Sequence, residues 1–333
     1  MASLKACRVH IMLPRTDLAL ALKYLSKNGP ESCSYVELPV EGNEAMPTDY
    51  TEELQKAEVL LTTPGLLGSR LYSVPKLQWA QMTFAGINEL LEQYQPDEPE
   101  PPFAITRFAS AKFGRELAEW VLAAVLCHER GFQRLWEAQR QHRWAQRGHM
   151  YRPLSQLTIG VLGTGQMGYQ AGLLFKQLGC RVHGLARTEK APDEIFDKMF
   201  TSGQLGELMQ SADYVCNLLP STPATRGLLS PAVLGQLRGG PVLVNAGRGD
   251  LVREADLVEA LRAGQLSGAV LDVFETEPLP ADSPLWDMEQ VTISPHVGNI
   301  SRLDEVGRTF LDNLERHLAG RPLLHRLDWR RGY

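Results

Sequence analysis

Nowhere in its 333 residues does the chain carry an apolar run approaching the roughly 18 residues that a membrane-spanning helix needs. Its five cysteines, Cys7, Cys33, Cys127, Cys180 and Cys216, are odd in number, scattered and free of CxxC spacing. That pattern argues against a disulfide framework or a metal site and for a reducing compartment. Positive charge is not in excess: Lys and Arg total 34 against 39 Asp and Glu, a net of -5, so a nucleic-acid footprint is not expected. The opening MASLKACRVHIMLPR becomes amphipathic and strand-like at once and offers no apolar stretch with a small-residue cleavage site, so a cytoplasmic location is expected. Low-complexity tracts and short-period repeats are also missing. With 44% hydrophobic and 22% charged residues, the composition is that of a globular protein, which excludes a disordered, collagenous or coiled-coil chain.

What is present is repeated β-α alternation. Cys7–Met12, Tyr35–Leu38, Val59–Thr62 and Leu77–Met82 have strand length and β-branched or aromatic content, with helical spacing over Leu18–Leu25. Pro96, Pro99, Pro101 and Pro102 then break the pattern in an acidic loop. A long helix is expected from Glu116 to about Arg140, with Glu116 and Glu119 in its first turn. Alternation resumes with strands at Leu157–Leu162, Arg181–Leu185, Asp213–Leu219, Pro241–Asn245, Ala269–Asp272 and Val291–Ser294, and a helix at Arg253–Ala263. The fold class is α/β, with two doubly wound parallel-sheet domains.

The most informative segment runs Leu157-Thr-Ile-Gly-Val-Leu-Gly-Thr-Gly-Gln-Met-Gly, ending at Gly168. Gly163 permits a tight turn after a strand, Gly165 lets the backbone approach a pyrophosphate, and Gly168 lets the following helix, Tyr169–Leu178, pack on the sheet. Phosphate oxygens would meet the free amides of that helix's N-terminus. Strand before and helix after favour a dinucleotide loop over a merely structural turn.

Three charged residues follow strands further on: Arg248 in Val-Asn-Ala-Gly-Arg-Gly, Glu277 in Leu-Asp-Val-Phe-Glu-Thr-Glu-Pro-Leu, and His296 in Ile-Ser-Pro-His-Val-Gly. An arginine grips a carboxylate through two parallel hydrogen bonds. A histidine passes a proton to a carbonyl oxygen receiving a hydride, and a nearby carboxylate raises its pKa and orients the ring. Together with a nicotinamide these serve reduction of a 2-oxo acid. Singly, each has a plainer reading: a helix cap or surface ion pair for Arg248, a solvated charge beside Glu275 for Glu277, a structural histidine for His296.

These segments together resemble the D-isomer-specific 2-hydroxyacid dehydrogenases, and the closing Leu-Asp-Trp-Arg-Arg-Gly-Tyr is similar to the glyoxylate/hydroxypyruvate reductase branch. The resemblance implies a Rossmann cofactor domain at 115–301, inserted into a flavodoxin-like substrate domain made of 1–114 and 302–333, with hinge closure between them. It implies carboxylate binding by Arg248, acid/base work by His296 and a partnering role for Glu277 but not Glu275. Backbone amides of Ala85 and Gly86 would help hold the carboxylate, and Asp272 the nicotinamide amide. Thr164, Gln166, Met167, Leu219, Pro220, Ala246, Gly247 and Gly298 would lie against the cofactor. Trp144 resembles a tryptophan that reaches the partner subunit's substrate pocket. A homodimer through the cofactor domain and the 116–140 helix follows in the same way. Asn299, Ile300 and Ser301 depart from the family's usual pattern after His-x-Gly.

Cofactor choice has its own signal. An NAD site usually places an acid at the end of the second strand, about 20 residues after the glycine loop, to accept from the ribose hydroxyl. Here that strand ends in Ala186-Arg187-Thr188, and Glu189 is the first acid. Arg187 offers a 2′-phosphate a charged fork, Thr188 a hydroxyl and Lys190 further charge, so NADP(H) is expected over NAD(H). The expected function is reduction of small 2-oxo acids such as glyoxylate or hydroxypyruvate. The alternatives are a dinucleotide-sensing, corepressor-like scaffold and a formate- or phosphite-type dehydrogenase.

Overall fold

The computed structural model describes residues 7–42, 50–95 and 97–333, so residues 1–6 of the opening segment and Pro96 of the proline run lie outside the described residues. The chain divides into two compact units, Met1–Ser110 with Ser301–Tyr333, and Ala111–Ile300.

The first unit is built on β1 (Cys7–Pro14), β2 (Cys33–Val40), β3 (Val59–Thr62), β4 (Trp79–Met82) and β5 (Ala104–Thr106). They form one parallel sheet in the order β2-β1-β3-β4-β5, the flavodoxin-like arrangement. Helix Arg15–Asn28 buries Leu18, Ala21 and Leu25 at helical spacing and packs beside helix Leu303–Leu318. Phe310 of the latter stacks on Trp79 of β4 at 5.1 Å, tying the C-terminal segment to this sheet.

The second unit holds β6 (Thr158–Leu162), β7 (Arg181–Ala186), β8 (Lys198–Thr201), β9 (Tyr214–Asn217), β10 (Val242–Asn245), β11 (Gly268–Leu271) and β12 (Val291–Ile293). All neighbours are parallel, in the order β12-β11-β10-β9-β6-β7-β8, so the order reverses at β6 as in a Rossmann sheet. Side chains alternate between two layers because successive residues of a strand face opposite ways. Val242, Val244 and Val270 join Val121, Val125 and Phe175 on one side. Leu243, Ala269 and Leu271 join Leu208, Leu257 and Leu261 on the other. Each such buried aliphatic side chain contributes roughly 1.5–3 kcal/mol.

Several expectations need correction. The single helix over 116–140 is two helices, Ala111–Glu129 and Phe132–Arg140, because Gly131 sits in the left-handed region at φ +60 between them. Glu116 and Glu119 therefore lie beyond the first turn, which holds no acid. Strands β5 and β8 were not expected. Both are short and stand at sheet edges, where a strand needs little apolar patterning. Among the described residues, no helix is long and apolar enough to cross a membrane.

Candidate active site

In the second unit the loops leaving β6, β9, β10, β11 and β12 all emerge from the carboxyl edge of one parallel sheet. The first is the glycine loop. Gly163 turns the chain at φ +94, and a Cβ on Gly168 would stand 1.8 Å from the Gly163 carbonyl oxygen, so helix and strand meet only through glycine. Helix Gln166–Gln177 follows with no side chain capping its N-terminus. A Cβ on Gly165 would meet no atom within 4 Å. Nothing in the protein itself demands glycine there, whereas an anion approaching the uncapped amides would. Thr164 is half-buried, Gln166 exposed and Met167 half-buried around this opening, which fits a pyrophosphate.

At the end of β7, Arg187 and Thr188 are exposed. Beside them Glu189 and Lys190 line a cavity of about 790 Å³ with Pro192, Phe200, Thr201 and Gln204.

The loops after β9 and β10 are tied together by two buried amides that sequence reasoning missed. Asn217 donates to the Asn245 side-chain oxygen at 2.8 Å, Asn245 in turn donates to the Arg248 carbonyl at 3.0 Å, and the amides of Leu219 and Gly247 bond back to Asn217 and Asn245. Pro220 accepts from Thr225 at 2.7 Å, and the Ala246 N–H reaches the Asn217 carbonyl at 3.3 Å. The available signal was an amide side chain ending each of two apolar strands, where a hydrophobic residue was due.

Glu277 and His296 come together, and Arg248, whose Nη1 donates to the Gly247 carbonyl at 2.7 Å, acts on both through its charge. His296 Nδ1 lies 2.7 Å from Glu277 Oε2, and Oε1 of the same carboxylate accepts the Phe274 N–H at 2.9 Å. The hydrogen bond to Glu277 lifts the His296 pKa above its ordinary value, and the charges of Glu277 and Asp272 add to this against burial and the Arg248 charge. Burial alone would push the Glu277 carboxyl up, but the bonds from His296 and Phe274 and the charges of His296 and Arg248 hold it below its ordinary range. Glu275, two residues earlier, turns instead to the N–H of Glu254 at 2.7 Å, at the start of helix Glu254–Arg262.

Asp272 is 2% exposed and accepts from the Ser294 hydroxyl at 2.6 Å, the Val297 N–H at 2.9 Å and the Gly298 N–H at 2.8 Å. Its own carbonyl takes the His296 N–H at 2.8 Å. This web holds His296 at φ +52, a left-handed conformation that costs a non-glycine residue about 1 kcal/mol or more and persists only where its surroundings enforce it.

The remaining expected residues stand elsewhere. Trp144 is 89% exposed, its indole donating to Gln146, and it shares no hydrogen bond with the trio. Ala85 and Gly86 belong to the first unit, in the loop after β4, where their N–H groups donate to no acceptor among the described residues. Among the described residues, no group of three or more His, Cys, Asp or Glu is placed to hold a metal ion.

Residues 122–298 match the family described as D-isomer specific 2-hydroxyacid dehydrogenase, NAD binding domain. A glyoxylate/hydroxypyruvate reductase A from Klebsiella pneumoniae is 32% identical over 251 residues, covering 75% of this chain and 80% of its own. A D-isomer specific 2-hydroxyacid dehydrogenase family protein from Aeromonas salmonicida superposes with a TM-score of 0.84 at 30% identity, over 98% of this chain and 100% of its own. An NADPH-dependent glyoxylate/hydroxypyruvate reductase from Sinorhizobium meliloti, solved with NADP and sulfate, gives 0.82 at 27% identity over 98% and 100%.

Proposed function

Because the chain belongs to the D-isomer-specific 2-hydroxyacid dehydrogenase family, we propose that it reduces glyoxylate, hydroxypyruvate and similar small 2-oxo acids to D-2-hydroxy acids with NADPH. The observation that carries this reading is the 2.7 Å contact of His296 with Glu277, with Arg248 close enough to act on the charge of both. Arg248 binds the substrate carboxylate and polarises the neighbouring oxo group. His296 gives its proton to the oxygen that becomes the alkoxide, and takes it back in the reverse direction. Reprotonation comes from water, since the ring is half exposed. Glu277 holds the ring and stabilises its charged form.

Bound at the glycine loop, the reduced nicotinamide supplies the hydride. The amides of residues 164–167 suit its pyrophosphate, and Arg187 with Thr188 the 2′-phosphate. Leu219, Pro220, Ala246, Gly247 and Gly298 line the path between, and Asp272 takes the carboxamide. NADPH rather than NADH is supported by the absence of an acid at 186–188 and by the NADP bound in the Sinorhizobium relative.

The test is NADPH oxidation followed by absorbance across a panel of 2-oxo acids. Turnover is expected with glyoxylate and hydroxypyruvate, and His296→Ala should lose about a hundredfold or more. Tight cofactor binding with no turnover on any of them would overturn the reading in favour of a scaffold.

A homodimer through the second unit is part of the same proposal. It is supported by the exposed Phe132, Trp136, Trp144 and Met150, which follow closely in the chain. Trp144 then serves the second copy's pocket. Light scattering should return twice the 37.1 kDa chain mass, and a monomer would sink the assignment.

A further inference from the structure

The first two strands of the first unit both open on a cysteine. Cys7 begins β1 and Cys33 begins β2, and the parallel register pairs the two directly. Residues paired in this way send their side chains to the same face of a sheet. Their Cα atoms stand about one strand spacing apart, about 4.8 Å, within the range that a disulfide spans. The two thiols are in contact, with the Cys7 S–H donating to the Cys33 sulfur. Both are free and half-buried, and β2 is the outermost strand of its sheet. The other three cysteines lack this combination. Cys180 and Cys216 are buried, and Cys127 stands on the helix Ala111–Glu129 of the second unit.

The contact is unsymmetrical. Burial pushes the Cys7 thiol up to about 11, and the charge and hydrogen bond of Cys33 and the charge of Glu58 push it the same way. Burial also raises Cys33, but there the hydrogen bond from Cys7 works in the opposite direction, because it steadies a thiolate. Cys33 is therefore the sulfur that loses its proton first, with Cys7 as the donor beside it. Once Cys33 is bonded to another sulfur, its charge and its acceptor role are gone. Only burial and Glu58 then oppose ionisation of Cys7.

We propose that Cys7 and Cys33 form a reversible disulfide by exchange with a small disulfide of the glutathione class, Cys33 attacking and Cys7 resolving. In the first step the Cys33 thiolate bonds to one glutathione sulfur and the glutathione S–S bond breaks. The other half leaves as a thiolate and takes up the proton that Cys33 gave. In the second step the Cys7 thiolate bonds to the Cys33 sulfur, the mixed disulfide breaks, and the second glutathione leaves with the proton from Cys7. The two cysteines lose two electrons, and the glutathione disulfide gains them to become two thiols. Neighbouring parallel strands hold their Cβ atoms about a strand spacing apart, against the roughly 3.5–4.5 Å of a relaxed disulfide. The bridge is thus strained and readily reduced, a reversible modification and not a structural framework.

The test is peptide mapping of the full-length protein after incubation with oxidised glutathione under native conditions. Free thiols are alkylated during unfolding, and the peptides are separated without reduction. The expected product is a single Cys7–Cys33 bridge, the chain lighter by two hydrogens, with Cys127, Cys180 and Cys216 alkylated and dithiothreitol restoring all five thiols. The rate should climb between about pH 7 and pH 9, because the thiolate is the attacking form. Cys7→Ser should halt one step short, with one glutathione on Cys33. Cys33→Ser should react at least about tenfold more slowly, because Cys7 keeps its proton. The parent map decides the pairing even where a serine variant fails to fold. Cys7 and Cys33 recovered as free thiols after prolonged treatment overturn the site, and so does a bridge from either to another cysteine. Glutathione taken up by Cys33→Ser as fast as by the parent overturns the assignment of Cys33 as the attacking sulfur.

Discussion

The Nδ1 atom of His296 lies 2.7 Å from Oε2 of Glu277, while Oε1 of the same carboxylate is held by the Phe274 N–H at 2.9 Å. A carboxylate held below its ordinary pKa range only accepts hydrogen bonds, so Nδ1 carries a proton. Nε2 is then the nitrogen left to exchange the proton in the proposed reaction. The pair thus fixes both the tautomer and the direction in which the ring presents its acid.

That arrangement sets a pH dependence. In the proposed reaction, reduction needs His296 protonated, and its pKa is raised above the ordinary 6.5 by Glu277. The rate of reduction, as kcat/KM, should hold below that raised value and fall as pH climbs through it. Oxidation of the hydroxy acid should show the opposite limb. In Glu277→Gln the raising influence is lost, burial and the Arg248 charge remain, and the descending limb should move to lower pH, with kcat at neutral pH down about tenfold or more. The folding contribution has the same sign. The folded pKa of His296 is the raised one, so its stabilisation is present at low pH and lost as pH rises through it. Glu277 is depressed, so its share is lost as pH falls through its folded pKa. Identical pH profiles for the parent and Glu277→Gln would remove Glu277 from the mechanism.

Asp272 makes a prediction of a structural kind. Asp272→Ala strands the Val297 and Gly298 amides and the Ser294 hydroxyl, at about 1–3 kcal/mol for each buried group left unpaired. At about 2–4 °C per kcal/mol, Tm should drop well beyond the effect of Ser294→Ala, which loses one bond only. Turnover should fall with it, because the left-handed backbone of His296 loses the web that enforces it. Equal melting temperatures for the two variants would show that the web carries little weight.

Much of this was legible from the sequence because it is local. The glycine loop, the strand-ending positions of Arg248 and His296, and the alternation of β6, β9, β10 and β11 all lie within windows of a few residues. What was not legible depends on partners far along the chain. Nothing near Asn217 announces Asn245, 28 residues away, as its partner, and nothing near Arg107 announces Ala85. Glu275 and Glu277 are chemically alike and two residues apart. Only the fold sends one to a helix N-terminus and the other to His296. The break at Gly131 escaped because apolar spacing continues on both sides of it, and β5 and β8 escaped because three or four residues cannot establish a period.

The two glycines of the phosphate loop should part company when substituted. Gly168→Ala places a Cβ 1.8 Å from a backbone oxygen, which no side-chain adjustment relieves, so thermal stability should collapse or the protein fail to accumulate. Gly165→Ala places its Cβ in open space. That variant should melt with the parent yet bind NADPH about tenfold or more weakly, because the methyl occupies the approach to the amides. Titration of cofactor fluorescence, read beside the melting curve, separates the two. Undiminished NADPH affinity in Gly165→Ala would move the pyrophosphate elsewhere.

Arg187 tests the cofactor assignment by charge. It stands exposed at the end of β7 with Thr188 beside it, and the first acid, Glu189, lines the adjoining cavity with Lys190. A 2′-phosphate carries a charge that the ribose hydroxyl of NADH lacks, so removing a permanent cation weakens one cofactor and leaves the other nearly untouched. The site is open to solvent and screened, which caps the effect at about 1–2 kcal/mol, or about five- to thirtyfold in kcat/KM. Arg187→Ala should therefore lower kcat/KM with NADPH by that factor, leave NADH within about twofold, and lose much of the parent's dependence on ionic strength. Arg187→Lys should keep the charge but not the fork and fall between. A parent enzyme that prefers NADH, or an Arg187→Ala variant in which both cofactors weaken equally, would place the determinant of cofactor choice at another residue.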